Sequence, residues 1–180
     1  MSCAAEKGIA ALKKRDAIKF TKIKVESKDA KNRIVLEYAK RNENGQDWDI
    51  YTMNSVDNPA PSFHEAMQEL SQDVVELCEL PDDFRERIVV KSVSLSDGDG
   101  DGFGGATITE AFQLKNSYAP LNLNTPYKSS AASGQEDPKQ ILDPATERRI
   151  CVLIIEAEQF LHGSRAQVSM EFSEKQGVAA

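Results

Sequence analysis

The chain has 180 residues, 40% of them hydrophobic and 28% charged, with a formal net charge of -7. That is long enough for one domain with its own core, and the acidity argues against a nucleic-acid footprint over the whole surface while leaving room for a local basic face. Cys3, Cys78 and Cys151 lie far apart and form no C-x-x-C, which argues against a disulfide framework or zinc knuckle and suits a reducing cytosol.

Residues 1–16 are rich in alanine and end in Lys13-Lys14-Arg15-Asp16, an arrangement read as a mobile N-terminal arm with Ile9 and Leu12 as its apolar anchors. No apolar core follows these basic residues and no run of ~18 apolar residues occurs, so neither secretion nor a membrane span is expected. A strand is predicted over Ile18 to Glu26. Strict alternation would put Phe20, Lys22 and Lys24 on one face and Thr21, Ile23 and Val25 on the other, with the second face toward the core. An aromatic ring beside two ammonium groups is how single-stranded nucleic acid is gripped, which makes Phe20, Lys22 and Lys24 a candidate nucleic-acid surface. Lysine as a guard on a strand edge is the alternative.

A turn over residues 28–33 leads to a second strand with Ile34, Leu36 and Tyr38 on one face, and a turn over residues 42–46 leads to a third, Trp48 to Met53. The segment Asn58-Pro-Ala-Pro-Ser62 breaks this pattern. Ser62 followed by Glu65 has the form of a capping box, opening a helix whose stripe is Phe63, Met67, Leu70, Val74 and Leu77. Pro81 ends it.

Glu86 to Pro126 reads as a hairpin near the middle of the sheet. Its first run is rich in Val and Ile, and its second alternates Ala106, Ile108 and Phe112 with Thr107, Thr109 and Gln113. The tip, Asp97-Gly-Asp-Gly-Asp-Gly102, resembles the opening of a calcium loop. Counting on from Asp97 puts Gly104 where an apolar residue is needed and Ile108 where a bidentate Glu is needed, so no metal is expected. Residues 116–143 read as a long loop. Asp143-Pro144 then starts a second helix with stripe Ile150, Leu153, Ile154, Ala157 and Leu161, which closes at His162-Gly163. The whole is predicted to be an α+β fold, an antiparallel sheet of about five strands in the order β-β-β-α-β-β-α packed against two helices. It forms a single domain over 17–163, followed by a flexible tail over 164–180.

Catalytic constellations are missing from this pattern, and neither enzyme activity nor a cofactor is expected. His64 and His162 stand without a motif, and Cys78 is about four helical turns, ~20 Å, from His64. Cys78 and Cys151 adjoin apolar stripes and read as buried small hydrophobes. Glu156 and Glu158, two apart on a helix, face different ways and cannot act as an acid–base pair.

The tail carries Gln167, Met170 and Phe172 in the pattern Q-x-x-M-x-F. It resembles the short peptide by which polymerases and repair proteins bind the bacterial sliding clamp. In such a peptide the Gln amide makes directional hydrogen bonds while Met and Phe fill an apolar pocket. An edge strand built on Val168, Met170 and Phe172 is the alternative.

The run Phe20-Thr-Lys-Ile-Lys-Val-Glu26, the helix end V-V-E-L-C-E-L-P, the hairpin end G-A-T-I-T and the segment L-N-T-P resemble an uncharacterised family of small phage and prophage proteins, over roughly residues 18–172. The resemblance implies expression in the host bacterial cytoplasm and carries no assigned activity. Three functions are therefore expected to compete: a phage accessory protein of DNA metabolism that docks on the host sliding clamp, an inhibitor of a host defence complex acting by protein binding, and a single-strand-binding protein.

Overall fold

The computed structural model describes residues 18–28, 31–42, 47–98 and 102–166. Among these, an antiparallel sheet is covered on one face by helices, which is the α+β layer the sequence predicts. Its strands are β1 (Ile18–Lys28), β2 (Lys31–Arg41), β3 (Trp48–Ser55), β4 (Ile88–Asp97), β5 (Phe103–Phe112), β6 (Leu121–Asn124) and β7 (Lys128–Ser129). The spatial order is β3-β2-β1-β4-β5-β6, with β7 also pairing β5. The β4–β5 hairpin thus stands inside the sheet as expected. The helices are α1 (Pro61–Glu69), α2 (Ser71–Leu77) and α3 (Pro144–Leu161).

The core row runs across the sheet through Ile23, Leu36, Val93 and Ile108, all fully buried. In β1 the strict alternation fails. The register shifts between Phe20 and Lys22, which pair with Tyr38 and Glu37 respectively, so Thr21 is an extra, bulged residue. A bulge advances the side-chain phase by one. It therefore puts Phe20, only 6% exposed, on the same face as Ile23, while Thr21 is exposed. The predicted face of Phe20, Lys22 and Lys24 does not exist as one surface.

Two further expectations need correction. The first helix is divided at Leu70 into α1 and α2, because Leu70 is helical in backbone but ends one segment and opens the next. Its apolar stripe continues across the break, with Phe63, Met67, Leu70 and Val74 buried. Its start is Pro61 with Ala60 as the flanking residue and no side-chain cap, since the Ser62 hydroxyl donates instead to Glu156 Oε2 at 2.6 Å. The expected long loop 116–143 contains β6, β7 and two short 3-10 turns, so the sheet has more than five strands. Backbone bonds hold this segment to the free side of β5: Thr125 N–H donates to Ile108 O at 2.9 Å and Ser130 N–H to Gly104 O at 2.9 Å.

The last helix begins and ends where its local chemistry dictates. The Asp143 carboxylate accepts from the N–H groups of Ala145 at 2.8 Å and Thr146 at 3.1 Å, satisfying two orphan donors of the first turn. Gly163, at φ +99°, closes the other end in a conformation that glycine adopts without strain. Ile150, Leu153, Ala157 and Phe160 face the core; Cys151 is exposed, against the expectation of burial. Between α2 and α3, fully buried Asp73 accepts from Arg149 Nε at 2.8 Å and from the Thr146 hydroxyl at 2.6 Å. The buried carboxylate is thus matched in charge and in hydrogen bonds.

Candidate functional site

The central feature of the sheet is a partial separation between β1 and β4. These neighbours pair only at Lys22↔Ser94, Ile23↔Val93 and Lys24↔Ser92. Beyond that point β1 carries the bulge at Thr21, and in the hairpin beside it the register shifts between Ser96 and Asp97, where Gly104 is an extra residue of β5. Bulged strands bend and twist more strongly, which explains why the ladder stops. A cleft of ≈ 340 Å³ occupies the split. Ile18 and Phe20 line it from β1, Leu95 and Phe103 from the hairpin, and Ile154 from α3. Trp48 and Ile50 of β3 extend it along the sheet.

One ammonium group spans the mouth of this cleft. Lys19 Nζ donates to Asp97 Oδ1 at 2.6 Å and to the Gly98 carbonyl at 3.3 Å, and lies 4.9 Å from the centre of the Trp48 ring. The guanidinium of Arg41 lies 5.4 Å from the same ring. Mostly apolar walls with a few polar groups at the rim are the general character of a binding cleft. The arrangement can take an apolar side chain or ring.

The candidate nucleic-acid residues are rearranged. Phe20 is withdrawn into the core and stacks on nothing outside; its ring centroid lies 5.9 Å from that of Tyr38. Lys22 Nζ is 3.6 Å from Glu37 Oε1, and Lys24 Nζ is 2.5 Å from Glu26 Oε1. Both lysines therefore sit beside carboxylates, and Phe20, the ring predicted to stack beside them, is on the opposite face of the sheet. The residues Asp99, Gly100 and Asp101 of the hairpin tip lie outside the described residues. Asp97, the first of that series, is bound to Lys19.

Gln167, Met170 and Phe172 also lie outside the described residues. The chain just before them is fixed to the body. Ala166 N–H donates to Asn58 O at 3.0 Å, and Arg165 Nε donates to Asp57 Oδ2 at 3.1 Å. The Arg165 guanidinium also stacks on the Phe160 ring at 3.8 Å and, by its bond to Asp57, holds that carboxyl below its usual value.

One chemically unusual residue has no counterpart in the sequence reading. Glu110 is fully buried and neither carboxylate oxygen has a hydrogen-bond partner. Burial pushes its pKa up to about 7. The signal was present in the alternation, where Glu110 occupies the row of Ala106, Ile108 and Phe112. The Cys78 thiol, at the end of α2, is raised by burial and further by the charge of Glu110. Among the described residues no group of three or more His, Cys, Asp or Glu side chains could hold a metal ion, and no helix is long and apolar enough to cross a membrane.

Compared with family models, curated proteins and solved structures, the chain matches none of them.

Proposed function

We propose that the chain is a non-enzymatic phage accessory protein of DNA metabolism that binds the host sliding clamp through Gln167, Met170 and Phe172. The observation that carries this reading is the anchoring of Arg165 and Ala166 to Asp57 and Asn58, immediately before Gln167. A recognition peptide that starts at a fixed point on a folded body presents its Gln amide and two apolar side chains near one place, which limits the ordering cost of docking. Binding of purified sliding clamp is the test. The intact chain binds, and the triple variant Gln167→Ala, Met170→Ala, Phe172→Ala does not; equal binding by the two, or none by the intact chain, ends the proposal.

A second reading, an inhibitor of a host defence complex acting through its folded surface, is favoured by the apolar cleft between β1 and β4. It predicts that a chain cut after Ala166 keeps its full biological effect, and that filling the cleft by Ala39→Trp abolishes it. Loss of the effect on truncation alone returns the assignment to the tail.

A further inference from the structure

β3 is an open edge without the usual protection. It pairs β2 without any register shift from Arg41↔Trp48 to Ile34↔Ser55, and among the described residues no strand pairs with its other side. Natural edges are blunted by lysine, proline, bulges or short length, because their free N–H and C=O groups invite another strand. The eight residues of β3, Trp-Asp-Ile-Tyr-Thr-Met-Asn-Ser, contain none of these and carry one charge, Asp49. Ile50 is 82% exposed, with Tyr51 and Val56 also exposed. The opposite edge differs, since β6 is only four residues long and Pro126 follows it closely.

We infer that β3 is the pairing edge of a symmetric dimer, in which a second copy of the chain adds its own β3 antiparallel across a two-fold axis. The sequence of the strand selects a second copy as occupant. Residues opposed across a ladder share a face, so the axis must pass through a residue pairing with itself. With the axis at Thr52, Asp49 meets Ser55 of the second copy and no like charges oppose within β3; the first like pair, Asp47 against Asp57, falls beyond both ends of the strand, where Asp57 is already bound to Arg165. Tyr51, already stacked on Tyr38 with ring centres 5.4 Å apart, meets Met53 on the helix-side face. Trp48 meets Val56 on the other, so one register accounts for the exposed tyrosine and valine together. Aromatic–aliphatic pairs of this kind stabilise strand association. Each chain carries a net charge of -7, so the two copies repel at long range and pair more tightly as salt is added.

The experiment is sedimentation of the full chain over a concentration series, together with cysteine cross-linking in a Cys3→Ser, Cys78→Ala, Cys151→Ser background. Directly opposed positions lie within disulfide reach. Thr52→Cys therefore gives a covalent dimer on oxidation. Ile50→Cys does not, whereas Ile50→Cys combined with Asn54→Cys does, since those two positions oppose. Thr52→Lys, an exposed position in the single chain, leaves the melting of the monomer unchanged and weakens association by about tenfold or more, because like charges then face each other. A monomer at every concentration overturns the inference, as does a dimer indifferent to Thr52→Lys. A monomer that dimerises only when cut after Ala166 overturns it too, and assigns the edge to the chain's own following residues. None of these outcomes depends on clamp binding.

Discussion

Glu110 and Val90 face each other across the β4–β5 ladder, on the apolar side of the sheet, with no hydrogen-bond partner for either carboxylate oxygen. The folded chain keeps Glu110 protonated up to about pH 7, whereas the unfolded chain releases that proton near the ordinary glutamate value of 4.5. Between these pH values the folded state binds more protons, so stability falls as pH rises through this window and levels off above it. Replacing Glu110 by Gln keeps the shape and removes the ionisation. The stability of Glu110→Gln relative to the unaltered chain therefore rises by about 3 kcal/mol from pH 4.5 to pH 8. Urea titrations at both pH values measure this; a gap that does not change with pH refutes it.

Asp73 and Arg149 join α2 to α3 through a carboxylate with no solvent exposure. Arg149→Ala leaves that carboxylate buried without its countercharge and is expected to cost about 3 kcal/mol. Asp73→Asn, which keeps the bond from Thr146 but not the charge, costs less. A double-mutant cycle on the two positions isolates their coupling from the loss of packing.

Phe20 and Lys22 are two residues apart and behave differently. Phe20→Ala removes a buried ring and costs about 3 kcal/mol of unfolding free energy. Lys22→Ala, at a half-exposed ion pair, stays within about 0.5 kcal/mol. Equal and small effects from both would show that Phe20 is a surface residue after all.

Gly105 leaves room for the return of the chain along β5. A Cβ there would meet the Tyr127 hydroxyl and the Lys128 carbonyl, the second of which is backbone. Gly105→Ala is therefore expected to destabilise the chain by about 2 kcal/mol. Hydrogen exchange should localise the loss to the amides that hold residues 125–130 against β5.

What could be read from the sequence was whatever local chemistry decides. Asp143-Pro144 and Gly163 mark the ends of α3 because a cap and a left-handed glycine act on their own residues. The row Ala106, Ile108 and Phe112 is visible because β5 pairs β4 without an extra residue of its own from Gly105 to Phe112. The bulge at Thr21 was hidden, since one extra residue depends on the partner strand and leaves no local mark. β6 and β7 were hidden because they are short and polar and are held through backbone groups of β5. The break at Leu70 was masked by an apolar stripe that runs through it. The cleft was not legible either, because it arises where β1 and β4 stop pairing beside irregularities that depend on the partner strands.

The narrow seam between β1 and β4 has a consequence for how the molecule opens. On one side of it stands the meander β1–β2–β3 and on the other β4–β5 with β6 and β7, each contiguous in sequence but for the helices. Three paired positions join them within the sheet. Each wing keeps its own internal ladder if that seam is lost, so the two wings are natural cooperative units, and the seam is the hinge line along which native-state hydrogen exchange divides them.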